Sequence, residues 1–317
     1  IAKLKETTTG DSLCTADAPF VFDELVPIEP SISYAVTTDN KKDEEKLHSS
    51  LTKMLDEDPT LKLSRNPQTR QTLISGVGQI HLEVIGDRIK RKFGVEMKLE
   101  APKILYKETI KGKARVQGKH KKQTGGHGHF SDSWIELSPL PKGGGFEFED
   151  KIVGVVIPKT YIPAVEKGVL EAMDKGIIAG YPVVDIKVSL VDGSFHAVDS
   201  AEMSFKISGA IAFRKGALGA NPVLLEPIMA MTIMIPKEYV GDVIGDLNGR
   251  RGRVMGMDSE GKLEVVNAQT PMAEILRYAQ DLTSITAGRG SFKSEFSHYE
   301  EVPANLAEKI IEQAKAA

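Results

Sequence analysis

The chain lacks most of the features that would assign an activity on sight. Among 317 residues there is one cysteine, Cys14, so no internal disulfide forms, which fits a reducing cytoplasm. No run of about 18 apolar residues occurs, which predicts no membrane partner. No charged-then-apolar leader opens the sequence, which predicts no signal peptide. The phosphate-cradling pattern GxxxxGK followed by Ser or Thr is missing, as are HExxH and GxSxG, and Cys14 has no histidine near it in sequence. Gly76-Val77-Gly78 precedes a helical stretch but lacks the third glycine of a dinucleotide turn, so it reads as a helix entry. Net charge is only −3, so binding to a polyanion has to be local rather than a property of the whole chain. Charged residues make up 27% and hydrophobic ones 41%, a globular balance with room for two or three domains. The carboxylates are scattered among helix formers, and most read as solvated. An enzyme with its own active site is the weaker reading.

What is present is concentrated at Val116–Phe130, VQGKHKKQTGGHGHF. From Lys107 to Lys122 the cations Lys107, Lys111, Lys113, Arg115, Lys119, Lys121 and Lys122 face one acid, Glu108. Beyond them Gln123 leads into Gly125, Gly126, His127, Gly128 and His129, where glycines let the backbone turn and approach another surface closely. A basic strand ending in a glycine-histidine tip suits a polyanion. A solvated hairpin turn explains the same residues. A metal site built on His120, His127 and His129 is a third reading; no acidic or cysteine partner sits at a fixed spacing, and glycines do not orient imidazoles.

The periodicities predict a modular α+β chain. Ile1–Leu13 reads as the end of a β domain without its partner strands, so the chain is expected to be a fragment. Strands are predicted at 32–36, 60–64, 71–75 and 95–99. Helices are predicted at 41–57 (Leu47, Leu51, Met54 and Leu55 on one stripe) and 78–93 (Ile80, Val84, Ile85, Ile89 and Phe93), with Gly94 as a C-cap. The order β-α-β-β-α-β is that of a ferredoxin-like fold. A second such set is predicted from 227 to 296, with helices at 239–248 and 272–281. Between them lie a long strand at 104–119, strands at 130–137, 146–153 and 182–190, and a helix ending near Lys175. A further helix is opened by Asp199 and Glu202 at capping-box spacing. Pro303 starts a terminal helix. Arg250, Arg251 and Arg253 in NGRRGR, and Arg289 between two glycines, suit phosphate contact or equally a helix C-terminus or turn. His196 reads as a turn residue or an exposed contact.

Taken in order, TTTGDSLC, SGVGQIHLEVIGDRIKRKFGVE, KETIKGKARVQGKHKKQTGGHGHF, YIPAVEKG, AGYPVVD, FHAVDSAEMSFK, PVLLEPIM, GDVIGDLNGRRG and ITAGRGSF resemble the C-terminal half of bacterial elongation factor G across essentially the whole chain. The resemblance implies the end of domain II at 1–27, a ferredoxin-like domain III at 28–102, domain IV at 103–220 with the terminal helix at 301–317, and a ferredoxin-like domain V at 221–300. It implies a ribosome-binding portion of a translational GTPase, acting as a monomer in the cytoplasm. GTP and Mg2+ would sit in a missing N-terminal domain, with no cofactor and no catalytic residue in this part. It implies contacts with ribosomal RNA, tRNA and mRNA at the A site through two tip loops. The first runs from Lys119, His120, Lys121, Lys122 and Gln123 through Gly125, Gly126, His127, Gly128 and His129; the second carries His196. Arg250, Arg251, Arg253 and Arg289 would touch ribosomal RNA. The family tip usually reads SGGRGQYG, whereas Thr124–Ser131 replaces its arginine and glutamine with histidines. A paralogue acting in ribosome recycling or ligand release is therefore the alternative.

Overall fold

A computed structural model describes residue 7 and residues 9–23, 30, 32–66, 69–123 and 128–316. The chain divides into two compact units, Ile1–Leu105 with Ile228–His298, and Tyr106–Pro227 with Tyr299–Ala317.

The first unit opens with a β-α-β-β-α-β module: β1 (Ile32–Thr37), α1 (Glu44–Glu57), β2 (Lys62–Arg65), β3 (Thr72–Gly76), α2 (Gln79–Phe93) and β4 (Lys98–Glu100). Its sheet runs β2-β3-β1-β4 with antiparallel neighbours. Leu47, Leu51 and Met54 of α1 and Leu82, Ile85 and Ile89 of α2 are buried against Val36 and Ile74. Burying a side chain of this size stabilises by roughly 1.5–3 kcal/mol, which is why the stripe dictates the packing face. Gly94 ends α2 in a left-handed conformation (φ 65°), donating its N–H to Lys90 O. The predicted apolar face of α2 was drawn too wide: Ile80 and Val84 are exposed, at 76% and 43%.

The second unit begins with β5 (Lys107–Ile110), β6 (Ala114–Gln123), β7 (Gly128–Pro139), β8 (Phe146–Asp150), α3 (Ile162–Asp174), β9 (Ile186–Ser194) and α4 (Glu202–Gly219). The single long strand expected at 104–119 is two strands in two sheets. β5 pairs antiparallel with Pro222–Leu225, whereas β6 pairs with β7. The break falls at Gly112, whose N–H bonds Ala220 O at 2.8 Å. The sheet order is β6-β7-β9-β8, and β8 runs parallel to β9 through the α3 crossover. One core joins Ile135, Leu137, Val165, Val169, Phe205 and Phe213. The strand expected at 182–190 starts only at Ile186, after Asp185 takes a left-handed φ of 59°.

The β-α-β-β-α-β rhythm then recurs in β10 (Pro222–Pro236), α5 (Val240–Gly249), β11 (Arg253–Glu260), β12 (Leu263–Pro271), α6 (Met272–Ile275), α7 (Tyr278–Ile285) and β13 (Ser291–Glu301). The order β11-β12-β10-β13 repeats that of the first module. The helix expected at 272–281 is split into α6 and α7. Met231, Ile233, Val243, Leu247, Tyr278 and Leu282 form the core. The chain closes with α8 (Ala304–Ala316), after Pro303.

Candidate nucleic-acid interface

The β6–β7 ladder places the basic residues one by one. Lys119 pairs with Asp132, His120 with Ser131, Lys121 with Phe130, Lys122 with His129, and Gln123 with Gly128. Thr124–His127 lies outside the described residues, so Gly125, Gly126 and His127 are not located. Side chains alternate across a strand, so Val116, Gly118, His120 and Lys122 share one face and Arg115, Gln117, Lys119 and Lys121 the other. Helix α4 covers the first face: a Cβ at Gly118 would lie 2.2 Å from Ser208 O. Ser131 Oγ donates to Ser204 O at 2.6 Å, and Ser133 and Ser208 hydroxyls meet at 2.8 Å. Glycine and serine thus let the helix lie directly on the hairpin.

Lys119, Lys121, Lys122 and His129 are exposed, and His120 is half-buried. Burial, with the charges of His129 and Lys122, holds the His120 imidazole below its usual pKa of 6.5. Its surroundings therefore disfavour the protonated ring. The Lys119 ammonium lies over the Phe130 ring, 5.8 Å from its centroid.

The second loop is tied to the base of the first. Gly128 N–H donates to Asp199 Oδ1 at 3.0 Å, Phe130 N–H to Asp199 O at 2.8 Å, and Ser200 Oγ to Phe130 O at 2.8 Å. Tyr161 Oη donates to Ser200 O at 3.2 Å, and His196 N–H to Ser200 Oγ at 2.9 Å. His196 itself is exposed, its Nδ1 3.4 Å from Asp199 Oδ2. The predicted capping box is not made: α4 starts at Glu202 with Ala201 as N-cap and no side-chain cap bond. Asp199 serves the neighbouring loop instead. Asp199 and Ser200 are the residues the sequence reading missed. Their adjacency to His196 in FHAVDS was the available signal.

Among the described residues no group of three or more His, Cys, Asp or Glu side chains is placed to hold a metal ion. The arginines divide into two kinds. Arg250 is committed inside its module: Nε to Asp246 at 2.7 Å, Nη2 to Asp281 at 2.8 Å, Nη1 to Glu274 O at 2.9 Å, with its guanidinium over the Tyr278 ring. These carboxylates raise its pKa further. Arg251, at φ 58°, bonds Glu274 Oε1 at 3.0 Å. Arg253 is exposed at the start of β11. Arg289 is exposed, stacked on Tyr239 and 2.7 Å from Glu238 Oε1.

Twin ferredoxin-like modules and a third module carrying a basic hairpin define a multidomain α+β protein. Family models agree: elongation factor G domain III matches residues 27–101, domain IV residues 102–221, and the elongation factor G C-terminus residues 223–310. The chain belongs to the elongation factor G family. A crystal structure of a protein from Thermus thermophilus is similar at 43% identity and TM-score 0.82, covering 92% of this chain and 44% of that one. The chain thus spans less than half the length of that relative.

Proposed function

We propose that this chain is the ribosome-engaging portion of a translational GTPase of the elongation factor G type, with domain III at 28–102, domain IV at 103–220 plus 301–317, and domain V at 221–300. The parent protein drives GTP-dependent movement of tRNA and mRNA in the cytoplasm while domain IV enters the A site. The observation that carries this reading is the basic hairpin with a second loop bonded to it at Gly128 and Phe130. Such a two-loop tip suits a crowded RNA surface. Lys119, Lys121 and Lys122 meet phosphates. His120, His129 and His196, with the glycines of the tip, approach tRNA and the decoding region. Arg253 and Arg289 meet ribosomal RNA, while Arg250 and Arg251 brace their own module.

GTP and Mg2+ belong to the part of the parent outside this chain. Two grooves of the first unit do not suit a triphosphate: one of about 330 Å3 beside α2 is lined by Glu83, Asp87 and Glu96 against Lys90 alone. The other, of about 450 Å3, is lined by Val77, Ile80, Leu282 and Phe292 with Glu83 and no cation.

In the full-length factor, Lys119→Ala and Lys121→Ala should each weaken ribosome binding several-fold, most strongly at low salt, because phosphate contacts release counterions. Binding indifferent to both changes and to salt contradicts the reading. Histidines in place of the family tip's arginine and glutamine favour a second reading, a paralogue serving recycling or ligand release. Normal messenger movement by the full-length factor in a translocation assay rules out a dedicated recycler.

A further inference from the structure

The open face of the β6-β7-β9-β8 sheet, opposite α3 and α4, carries cations in register. Lys113, Arg115, Lys119 and Lys121 are exposed at odd positions of one strand and its approach. They recur at about 6.6 Å per two residues and span about 26 Å. That interval is comparable to the phosphate repeat of an extended nucleotide chain. Beside them on β7, at even positions of the same face, stand two half-buried rings, Phe130 and Trp134. Each ring has a cation above it: Lys119 over Phe130 at 5.8 Å, and Arg115 over Trp134 at 6.0 Å.

Five acids share this face, each with a partner: Asp192, opposite Trp134, is exposed and accepts the Gly193 N–H at 2.8 Å, Glu147 and Glu149 pair with Lys187 at 3.4 and 3.2 Å, and the other two are Asp132 and Glu136. Asp132 is 8% exposed and its carboxylate takes Gln117 Nε2 at 2.9 Å and Ser194 Oγ at 3.3 Å. Glu136 stands 3.7 Å from Arg115, a loose contact a phosphate can displace. At the base the ladder runs into a groove of about 390 Å3 lined by Lys151 and Lys187, whose ammonium groups are paired with Glu149, at 3.2 Å each, and for Lys187 also with Glu147 at 3.4 Å.

We infer that this sheet face is a track for a single nucleic-acid strand, its phosphates along β6 and its bases stacked on Trp134 and Phe130. Aromatic rings on an open sheet between cations are the arrangement by which unpaired bases are held without reading their sequence. A duplex keeps its bases inside and offers those rings nothing to stack on. RNA as the occupant rests on the ribosomal reading above; the track itself rests only on the sheet.

Trp134 is the one tryptophan in the chain, so its fluorescence reports this face alone. Titrating the full chain with a twelve-nucleotide oligouridylate should quench it saturably. The logarithm of the affinity should fall with that of salt at a slope of about −3, as four phosphate contacts require. Lys119→Gln with Lys121→Gln should lower that slope by about 1.4. Phe130→Leu should weaken binding about tenfold, the loss of one stacked base. Lys167→Gln with Lys215→Gln, the same charge change on the helical side, should change neither. A blunt RNA duplex of equal length should leave the fluorescence unquenched. Absent quenching, equal quenching by duplex, or a slope unmoved by the β6 variants overturns the track. Any of these leaves the ribosomal reading to be judged by its own translocation assay.

Discussion

The carboxylate of Asp199 accepts the main-chain N–H of Gly128 at 3.0 Å, across 71 residues of sequence. That bond fixes the point where the chain re-enters β7 from the tip, and the same residue contacts His196 in the second loop. One side chain therefore sets the spacing between the two loops. A hydrogen bond to a charged acceptor is worth about 1.5–3 kcal/mol, and a factor of ten is about 1.4 kcal/mol. Asp199→Ala should speed amide exchange at Gly128 about tenfold, the lower end because the site is half-exposed. Asp199→Asn keeps an acceptor oxygen and should retain most of the protection. Unchanged exchange at Gly128 in the alanine variant would show that the bond does not hold the loops.

Glu108 does for the base of the second unit what Asp199 does for its tip. It is fully buried, and its carboxylate receives the N–H groups of Ile177, Ile178, Ala179 and Tyr181 at 2.5–3.1 Å. These are part-buried amides of the turn that follows α3, gathered on one anion. Glu108→Gln replaces one acceptor oxygen with an NH2 group that points at donors. Two stranded amides at about 1–3 kcal/mol each predict a loss of about 3 kcal/mol. A urea midpoint for the variant equal to that of the parent chain is the result that rules this out.

At Gly118 the limit is space. An added Cβ would meet Ser208 O at 2.2 Å and Ala212 N at 2.5 Å, both backbone atoms of α4 that no rotamer change can move. Gly118→Ala should push the helix off the hairpin and cost about 3 kcal/mol, the upper end of overpacking penalties. Gly241→Ala, where nothing lies within 4 Å of the new methyl, should be neutral or stabilise α5 by about 0.5–1 kcal/mol. If the two substitutions shift the unfolding midpoint alike, close approach of α4 is not what glycine supplies here.

How much of this could be read from the residues follows from the range of each interaction. The two ferredoxin-like modules were legible because Leu47, Leu51 and Met54, or Ile85 and Ile89, repeat at the helical period and bury together. Periodicity says nothing about which sheet a strand joins, so the change of partner between Ile110 and Ala114 was invisible. Nor does it mark a face that is apolar yet open, as Ile80 shows. Asp199 and Glu202 had local cap spacing, but a partner 71 residues away took the first of them. Glu108 read as a lone acid among lysines because its donors lie 69 to 73 residues on. The arginines of NGRRGR looked equivalent in sequence; the positions of Asp246, Asp281 and Glu274 are what commit Arg250 and Arg251 to their own module. The basic run up to Gln123 was legible, and the bonds from Asp199 and Ser200 to Gly128 and Phe130 were not.

The half-buried His120 gives the hairpin a pH dependence whose sign can be worked out. Burial and the neighbouring charges of His129 and Lys122 lower its pKa in the folded chain, while the unfolded chain keeps the ordinary value of 6.5. Between those two values the unfolded state binds more protons, so unfolding takes up protons there. Stability therefore rises as pH climbs through that interval and is lost as pH falls through it. Below the folded value the penalty is complete, because the ring must then be charged beside Lys122. His120→Gln keeps a polar side chain of similar reach and removes the titration. Between pH 7 and pH 5 the parent chain should lose more unfolding temperature than the His120→Gln variant, and the two should converge above pH 7. Parallel curves across the whole range would mean that His120 is as well solvated when folded as when unfolded.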